Sequence, residues 1–338
     1  MTEAGGVTSL TNPPPFRSRS RLQHFTIQSA PLLLALIILA GMVGLYIGLF
    51  FRQLARFPGT FEWTSVVNTS MPLVFAAVGQ SIVVLTRGLD LSVGGMIDLT
   101  NSLVATHMHS GAGSMLAWSL VALAVGAGGG AINGVLVAYG RLQPILVTLA
   151  TLSIYQGVAI KVLPQPGGAV PLEYTKILAN PNGPTGLVFV AVIVVFWLGF
   201  RRTRFGTGVF AIGNDEEAAR AHGIPVRLVK IGAYVLGGMF AAAGGLFLAA
   251  TTTAGDATSG DVFVLTSIAA VVLGGISFFG GRGSAIGTVA GAFVLTLLIN
   301  VLFFASIDPL YQSFFQGLFL VVAVLLGTLI RRVVGMRA

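Results

Sequence analysis

The 338 residues of this chain are 55% hydrophobic and only 9% charged. Because soluble domains carry about 25% charged residues, this composition excludes an ordinary water-soluble protein. The net charge of +8 does not indicate a nucleic-acid-binding protein either, since the basic residues stand in short segments between apolar runs, as in membrane proteins. The lack of cysteine excludes disulfides, thiolate chemistry and cysteine-ligated metal sites.

Apolar runs that approach the roughly 20 residues needed to cross a bilayer as a helix recur along the chain. Lipid cannot satisfy the open edge of a sheet, so these runs predict an all-α membrane protein with about ten transmembrane helices. The predicted membrane domain covers residues 31–332, between a polar, proline-rich tail at 1–30, which we expect to be disordered and cytosolic, and a cytosolic tail at 333–338. The ten predicted spans are residues 31–51, 65–86, 91–109, 114–138, 144–163, 185–200, 231–252, 263–279, 284–305 and 311–330.

The distribution of lysine and arginine predicts the orientation of these spans. When the N-terminus is placed in the cytosol, 15 of the 19 basic residues fall inside the cell. The four that fall outside are Arg52, Arg56, Lys161 and Lys176. This excess satisfies the positive-inside rule and predicts that both termini are cytosolic.

Glycines recur every four residues at two places, one within the predicted span 114–138 and one at the start of the predicted span 284–305. The two sets are Gly126, Gly130 and Gly134, and Gly283, Gly287 and Gly291. This spacing places each set along one face of a helix, where a neighbouring backbone can approach closely. Both ordinary packing of membrane helices and a moving helix interface are compatible with the pattern.

The largest predicted cytosolic loop, residues 201–230, contains a short helix whose two ends are marked in the sequence. Asn214 can serve as its N-cap, with Glu217 three residues later as the partner in a capping box. Gly223, followed by Pro225, predicts the end of the helix. Because a helix of two turns is unstable alone in water, this one must either pack on its own protein or dock into a cytosolic partner.

Two glycine-rich junctions interrupt the apolar pattern at the same predicted side of the membrane. The first is RGLDLSVGG at 87–95, and the second is VVLGGISFFGGRGS at 271–284. Non-helical backbone at this depth is tolerated only where it is buried in protein or lines a cavity. At the first junction, either Arg87 and Asp90 form a local ion pair or the segment lines a pathway.

Several polar residues lie inside or beside the predicted spans. A charged side chain near the bilayer centre costs about 2.5–3.5 kcal/mol on insertion scales, so we expect Asp98 to face protein or water rather than lipid. The amides can either line a pathway for a hydroxylated solute or hydrogen-bond between helices. The candidates for a translocation pathway are Asp90, Ser92, Asp98, Asn101, Asn133, Gln156 and Asn300.

The sequence lacks the motifs of an ATPase and of a zinc-dependent intramembrane protease. None of its three lysines follows a glycine, so the chain cannot form a standard ATP-binding P-loop. The zinc-protease motif H-E-x-x-H is also missing. No catalytic residue and no metal site are predicted.

Three segments, in the right order, resemble the permease subunits of ribose/xylose-type ABC importers. Residues 86–94, TRGLDLSVG, are similar to the G-[IL]-D-L-S-V-G signature of that family. Residues 211–225, AIGNDEEAARAHGIP, resemble its cytosolic coupling loop, although many relatives have Gly-Gly-Asn where this chain has Gly-Asn-Asp. Residues 271–288, VVLGGISFFGGRGSAIGT, resemble a late glycine-rich stretch. The likeness extends over roughly residues 31–332.

The resemblance implies a type II-like ABC importer permease in the bacterial inner (plasma) membrane that works by alternating access. Its implied partners are a second permease copy in a homodimer or heterodimer, a periplasmic or extracellular solute-binding protein, and a cytosolic ABC ATPase that holds ATP and Mg. The chain itself would carry no cofactor. The residues that the resemblance assigns to ATPase coupling are Gly213, Asn214, Asp215, Glu216, Glu217, Ala218, Ala219, Arg220 and Gly223.

The sequence leaves the solute and two other functions open. A pathway with few charges suits a neutral sugar or sugar-like solute, whereas a branched-chain amino acid, as a zwitterion, would favour charged or dipolar partners. An ion-coupled secondary transporter would ordinarily need ionisable residues near the midplane and would leave the docking-like loop helix unexplained. A membrane scaffold without transport activity predicts no flux at all.

Overall fold

The computed structural model describes residues 21–311, 314–319, 321–322 and 325. In this part of the chain the regular structure is helical, apart from one isolated β-bridge between Gly167 and Gly255. The helices are α1 (Arg21–Leu54), α2 (Thr60–Leu85), α3 (Val93–His107), α4 (Ala112–Ala138), α5 (Pro144–Val162), α6 (Leu172–Leu178), α7 (Thr185–Phe200), α8 (Arg204–Asn214), α9 (Glu216–Ala221), α10 (Val226–Thr252), α11 (Asp261–Leu273) and α12 (Ala285–Phe304), followed by a 3₁₀ turn at Pro309–Tyr311.

Six of these helices, α1, α2, α4, α5, α10 and α12, are long and apolar enough to cross a membrane. A seventh span results if α7 and α8, which are bent by 75° at their junction, are counted together. The prediction of an all-α membrane protein is therefore confirmed. The helices at two predicted spans are shorter than a full crossing, since α3 has 15 residues and α11 has 13.

The N-terminal segment differs from the expectation of disorder at residues 21–30. Helix α1 begins at Arg21, so residues 21–30, which we expected to be disordered, are helical. Residues 1–20 and the tail at 333–338 lie outside the described residues, as does half of the predicted span at 311–330.

Helix α2 lies at the centre of the bundle. Every residue from Ser70 to Leu85 is buried, as expected of a helix that is apolar on all sides. It contacts α10, α11, α12 and α7. By contrast α1, α4, α5 and α7 expose large aliphatic side chains, among them Ile37, Leu116, Leu146 and Val195. These outer faces suit contact with lipid.

The predicted glycine face of α4 packs against α10. A Cβ atom at Gly126 would collide with the carbonyl of Gly238, and a Cβ atom at Gly130 would collide with the carbonyl of Tyr234. The close approach of two backbones, which the spacing predicts, is therefore confirmed for this set.

The second glycine set has a different arrangement from the predicted one. A Cβ atom at Gly287 would collide with the carbonyl of Gly274, and one at Gly291 with the carbonyl of Ala270. These two glycines therefore let the start of α12 pack against the end of α11. Gly283 precedes α12 and has a φ of 131°, so the prediction that it shares this helix face is wrong.

Candidate coupling site and polar network

The three sequence motifs meet at the side chain of Arg87, which follows the end of α2. Its Nε atom donates hydrogen bonds to the carbonyls of Gly213 at 2.9 Å and Phe279 at 3.1 Å, and its Nη2 atom donates to the carbonyl of Asn214 at 2.7 Å. A guanidinium can bind several carbonyls at once because its donors point outward in a fixed, planar fork. One charged group thus ties the end of α2 to the end of α8 and to the loop after α11.

Backbone contacts close the same junction. The Gly281 N–H donates to the carbonyl of Leu85 at 3.0 Å, and the Asn214 side chain donates to the carbonyl of Gly281 at 3.2 Å. A Cβ atom at Gly213 would collide with the Leu85 carbonyl and the Gly281 amide, so only glycine fits there. We call the set Leu85, Arg87, Gly213, Asn214, Phe279 and Gly281 the coupling junction.

The predicted ion pair between Arg87 and Asp90 is not formed. The Arg87 backbone has a φ of 62°, in the left-handed region that turns the chain sharply, and its guanidinium binds carbonyls from distant segments. Asp90 is only 2% exposed, and its Oδ1 atom accepts hydrogen bonds from the backbone N–H and the hydroxyl of Ser92 at 2.9 and 2.6 Å. The local-pair alternative is therefore wrong.

Helix α9 begins one residue later than the sequence suggested. Asp215 is its N-cap, and the Asp215 Oδ1 atom accepts hydrogen bonds from the backbone N–H groups of Glu217 at 2.9 Å and Ala218 at 3.0 Å. The prediction of Asn214 as the cap is wrong, because Asn214 ends α8 and its side chain binds Gly281. Both residue types are good caps, so the contact with Gly281 decides between them.

The other end of α9 agrees with the prediction. Gly223 has a φ of 79°, and the N–H of Ile224 donates to the carbonyl of Ala219 at 3.1 Å. This arrangement satisfies the last carbonyls of the helix. The left-handed conformation favours glycine at position 223, so the predicted stop is confirmed.

Helix α9 both packs on its own protein and leaves one face open. Ala219 is buried, and the Glu216 carboxylate binds Lys230 of α10 at 2.6 Å and Arg220 at 3.1 Å. These contacts explain how six residues remain helical although short helices are unstable alone. The outward residues, Asp215, Glu217, Ala218, Arg220, Ala221 and His222, are exposed. The open face can therefore contact another protein.

The non-helical segment between α2 and α3 is buried at Asp90 and Ser92 and is exposed at Arg87. Its inner part is covered by protein, as non-helical backbone within a membrane requires. The Ser92 hydroxyl accepts a hydrogen bond from the Asn133 side chain of α4 at 2.8 Å. With its amide oriented to satisfy both partners, Gln80 of α2 donates to the carbonyl of Asp90 at 3.0 Å and accepts from its N–H at 3.3 Å. The hydroxyl of Tyr234 on α10 donates to the carbonyl of Leu89 at 3.3 Å. Three helices thus hold this segment in place.

A second polar network holds the loop between α10 and α11 against α3. The Asp98 Oδ1 atom accepts a hydrogen bond from the Gly260 N–H at 2.5 Å, and the Asn101 Oδ1 atom accepts one from the Asp256 N–H at 2.8 Å. Asp98 is fully buried, and its second oxygen has no hydrogen-bond partner among the described residues. This network fixes where α11 begins.

The seven predicted pathway residues divide into two groups by exposure. Gln156 and Asn300 are partly exposed. The Gln156 amide donates a hydrogen bond to the carboxylate of Asp261 at 2.9 Å, and the Asn300 amide donates one to the carbonyl of Thr296 in its own helix. The buried members are Asp90, Ser92, Asp98, Asn101 and Asn133. Four of these side chains hydrogen-bond to another segment of the chain, whereas the Asp90 carboxylate binds Ser92 within its own segment. A role in lining the pathway stays a prediction.

We expect Asp98→Ala to lower the free energy of unfolding by roughly 1–3 kcal/mol, because the buried N–H of Gly260 would lose its acceptor. Asp98→Asn keeps an oxygen at the same position and removes a buried charge, so its stability should equal or exceed that of the unaltered chain. Thermal unfolding of the three proteins in one detergent checks this. Equal destabilisation by both substitutions would mean that the carboxylate charge itself is needed.

Sequence patterns did not single out Gln80, Tyr234 or Asp261. Gln80 could have been noticed as an amide inside a long apolar run, but no local pattern indicates its hydrogen bonds to the backbone of Asp90. Asp261 opens α11, where an acid favours the helix dipole, and its bond to Gln156 of α5 is a long-range contact. Within the described residues, no group of three or more His, Cys, Asp or Glu side chains could hold a metal ion.

Comparison with known proteins explains why these motifs occur together. The family model described as "Branched-chain amino acid transport system / permease component" matches residues 63–324, which is most of the chain. The chain belongs to that permease family. The match begins near the start of α2 and includes the coupling junction and α9.

Similar proteins in this family are named as permeases of import systems or of ABC transporters. The ribose import permease protein of Escherichia coli strain K12 is 35% identical over 263 residues, which cover 74% of this chain and 80% of the relative. A probable ABC transporter permease of Sinorhizobium fredii is 33% identical over 279 residues, covering 80% and 83% of the two chains. The autoinducer 2 import system permease of Yersinia enterocolitica is 33% identical over 276 residues, covering 79% and 74%. The resemblance stated from the three motifs is confirmed, and no solved structure matches the chain.

Proposed function

We propose that this chain is the membrane-spanning permease subunit of an ATP-driven ABC importer for a sugar or sugar-like solute in the bacterial inner membrane. The observation that carries the proposal is the coupling junction, where Arg87 joins α2, α8 and the loop after α11 directly beside the exposed face of α9. A protein that moved α9 would therefore move the central helix of the bundle. The family match and the names of the relatives support the same function.

In this proposal the chain has ten membrane segments and both termini are cytosolic. Six helices are long enough to cross alone, and α7 and α8 together would form a seventh crossing. Helices α3 and α11 would be partial crossings, each adjoining a non-helical segment that packs in part against other helices. The sorting of 15 of the 19 basic residues to one side supports the orientation and puts α9 and the coupling junction in the cytosol.

The proposed mechanism is alternating access in a dimer of permease chains. A solute-binding protein delivers solute to the outer end, and a cytosolic ATPase, which holds ATP and Mg, docks on α9. Closure of the ATPase would pull on α9, and Arg87 would carry this displacement to α2 and to the loop between α11 and α12. This chain supplies the path and the mechanical link, and ATP hydrolysis takes place on the partner.

A sugar fits the proposal better than a branched-chain amino acid. The names of the relatives give ribose and autoinducer 2, whereas the branched-chain amino acid appears only in the description of the family model. The partly exposed pathway candidates Gln156 and Asn300 are amides, which can donate to and accept from hydroxyl groups.

Reconstitution into proteoliposomes with the ATPase and the binding protein tests the function. We expect uptake of radiolabelled ribose or a related sugar that requires internal ATP and the binding protein. Uptake of leucine but of no sugar would favour the amino-acid alternative. Uptake driven by a proton or sodium gradient without ATP would contradict the proposal and favour a secondary transporter.

We predict that Glu217→Ala combined with Arg220→Ala weakens copurification of the ATPase, because both side chains belong to the exposed face of α9. The spans should remain folded, since the exposed pair of Arg220 with Glu216 contributes at most about 1 kcal/mol. The measurement is the amount of ATPase recovered with the tagged chain from native membranes.

A matched control is available on the short helix α6, which we place at the outer face. Glu173→Ala combined with Lys176→Ala also removes one exposed acid and one exposed base. This control should leave recovery of the ATPase unchanged. If both double variants recovered as much ATPase as the unaltered chain, α9 would not be a docking element.

A further inference from the structure

The tip of the loop between α11 and α12 exposes two neighbouring aromatic side chains. Phe278 is 55% exposed and Phe279 is 77% exposed. Neither ring stacks on another aromatic ring or joins an apolar cluster in the described part of the chain. Two adjacent exposed aromatic residues are unusual on a surface in contact with water and often mark a binding surface.

The backbone of this tip is held in one shape. The Ser277 N–H donates to the carbonyl of Arg282 at 2.9 Å, and the Gly280 N–H donates to the carbonyl of Ser277 at 3.0 Å. The Phe279 N–H donates to the Ser277 hydroxyl at 3.2 Å. The two rings therefore project from a closed turn and need little ordering when a partner binds, which favours affinity.

The tip is continuous with the face of α9. Arg87 binds the carbonyl of Phe279 and also that of Asn214, the residue just before the N-cap of α9. The Asn214 side chain in turn binds Gly281. One guanidinium thus holds the two aromatic residues and the start of α9 at one surface.

We propose that Phe278 and Phe279 form a second docking element, beside α9, for the cytosolic ATPase of the importer. The proposal rests on the proposed function, because the ATPase is the partner expected at α9. The neighbouring exposed groups, Asp215 and Glu217 on α9 and Arg282 beside the tip, are charged and favour water, so this surface faces the cytosol rather than the lipid. Buried aromatic anchors within a charged rim are typical of energetic centres in protein interfaces.

Through the second element the ATPase would contact the loop that connects α11 to α12. Helix α9 leads into α10, so the two elements together would reach both halves of the coupling junction. Loss of the aromatic pair should therefore weaken binding and also reduce the uptake obtained per ATP hydrolysed.

The chain contains no cysteine, so Phe279→Cys introduces a unique thiol at the tip. We would label it with a thiol-specific benzophenone reagent in the purified permease, remove the excess reagent, add the ATPase, irradiate the complex, and identify the product by mass spectrometry. The expected product joins this chain to the subunit that carries a P-loop peptide. Phe61→Cys is the control, since Phe61 is 58% exposed at the opposite end of α2 and should give no such product.

The binding measurement uses Phe278→Ser combined with Phe279→Ser. We expect binding of the ATPase to weaken by about thirtyfold or more, as on loss of a hot-spot residue, with an unchanged elution profile of the permease in detergent. Crosslinks only to lipid or to a second permease chain, or unchanged ATPase affinity in the serine variant, would overturn the proposal. If the unaltered chain bound no ATPase at all, the proposed function itself would fail, which is a separate outcome.

Discussion

Replacing Arg87 with alanine is expected to reduce ATP-driven uptake by about tenfold or more while the chain still inserts and still binds its ATPase. The substitution removes all three hydrogen bonds that join α2 to the Gly213–Asn214 backbone and to Phe279. A hydrogen bond to a charged group contributes about 1.5–3 kcal/mol when well shielded, and less at an exposed residue. Arg87 is exposed, but three bonds that each contribute about 0.5 kcal/mol to the link between α9 and α2 together correspond to about a tenfold change.

The measurement is the ratio of solute taken up to ATP hydrolysed in proteoliposomes. A loss of coupling lowers this ratio, whereas a loss of docking abolishes stimulated hydrolysis as well. Arg87→Lys should give an intermediate ratio, because an ammonium on a flexible stem retains the charge but not the planar fork that holds several carbonyls.

Arg141→Ala is the matched control for Arg87→Ala. Arg141 is exposed, has a φ of 55°, close to the 62° of Arg87, and its side chain makes no hydrogen bond with the described residues. Any effect of alanine on a left-handed turn is therefore the same in both variants. Equal coupling ratios in the two alanine variants would exclude Arg87 as the mechanical link.

The sequence predicted features that depend on local geometry. The four-residue spacing of Gly126 and Gly130 requires only the pitch of a helix, and it correctly indicated a close helix contact. The stop at Gly223 depends on a left-handed turn within one short segment, and it too is confirmed. The order of three motifs was sufficient to indicate the family.

Features that depend on distant segments could not be predicted in this way. Asn214 and Asp215 are equally good caps locally, and only the contact with Gly281, 67 residues away, assigns Asn214 to another task. Arg87 and Asp90 are three positions apart and of opposite charge, so a local pair was reasonable. The partners of Arg87 lie 126 to 192 residues away, and no pattern around Arg87 indicates them.

The contacts of the buried polar residues also depend on distant segments and could not be predicted from the sequence. Sequence alone identifies Asp98 and Asn101 as costly in lipid, but it does not distinguish a solute-facing side chain from one that holds a loop. The structure gives both side chains backbone N–H partners in the loop before α11, at Gly260 and Asp256. The hydrogen bond from the Gly260 N–H to Asp98 helps to explain why an acid is tolerated there.

Gly130→Ala is expected to lower the free energy of unfolding by roughly 1–3 kcal/mol, which is typical of overpacking in a well-packed interior. The added methyl group would collide with the backbone carbonyl of Tyr234 on α10. A backbone carbonyl cannot rotate away as a side chain can, so α4 and α10 would have to separate. Their interface extends from Gly126 to Gly134 and is the most extensive contact of α10 with any helix.

The control for this packing prediction lies two residues away on the same helix. A Cβ atom at Gly128 would meet nothing within 4 Å, so Gly128→Ala should be neutral or stabilising by up to about 1 kcal/mol, because alanine favours a helix more than glycine does. Opposite changes in melting temperature, measured at one heating rate in one detergent, would establish that contact with α10 decides the effect. Similar changes in both variants would mean that helix propensity dominates, and the close approach of α4 and α10 would then contribute little to stability.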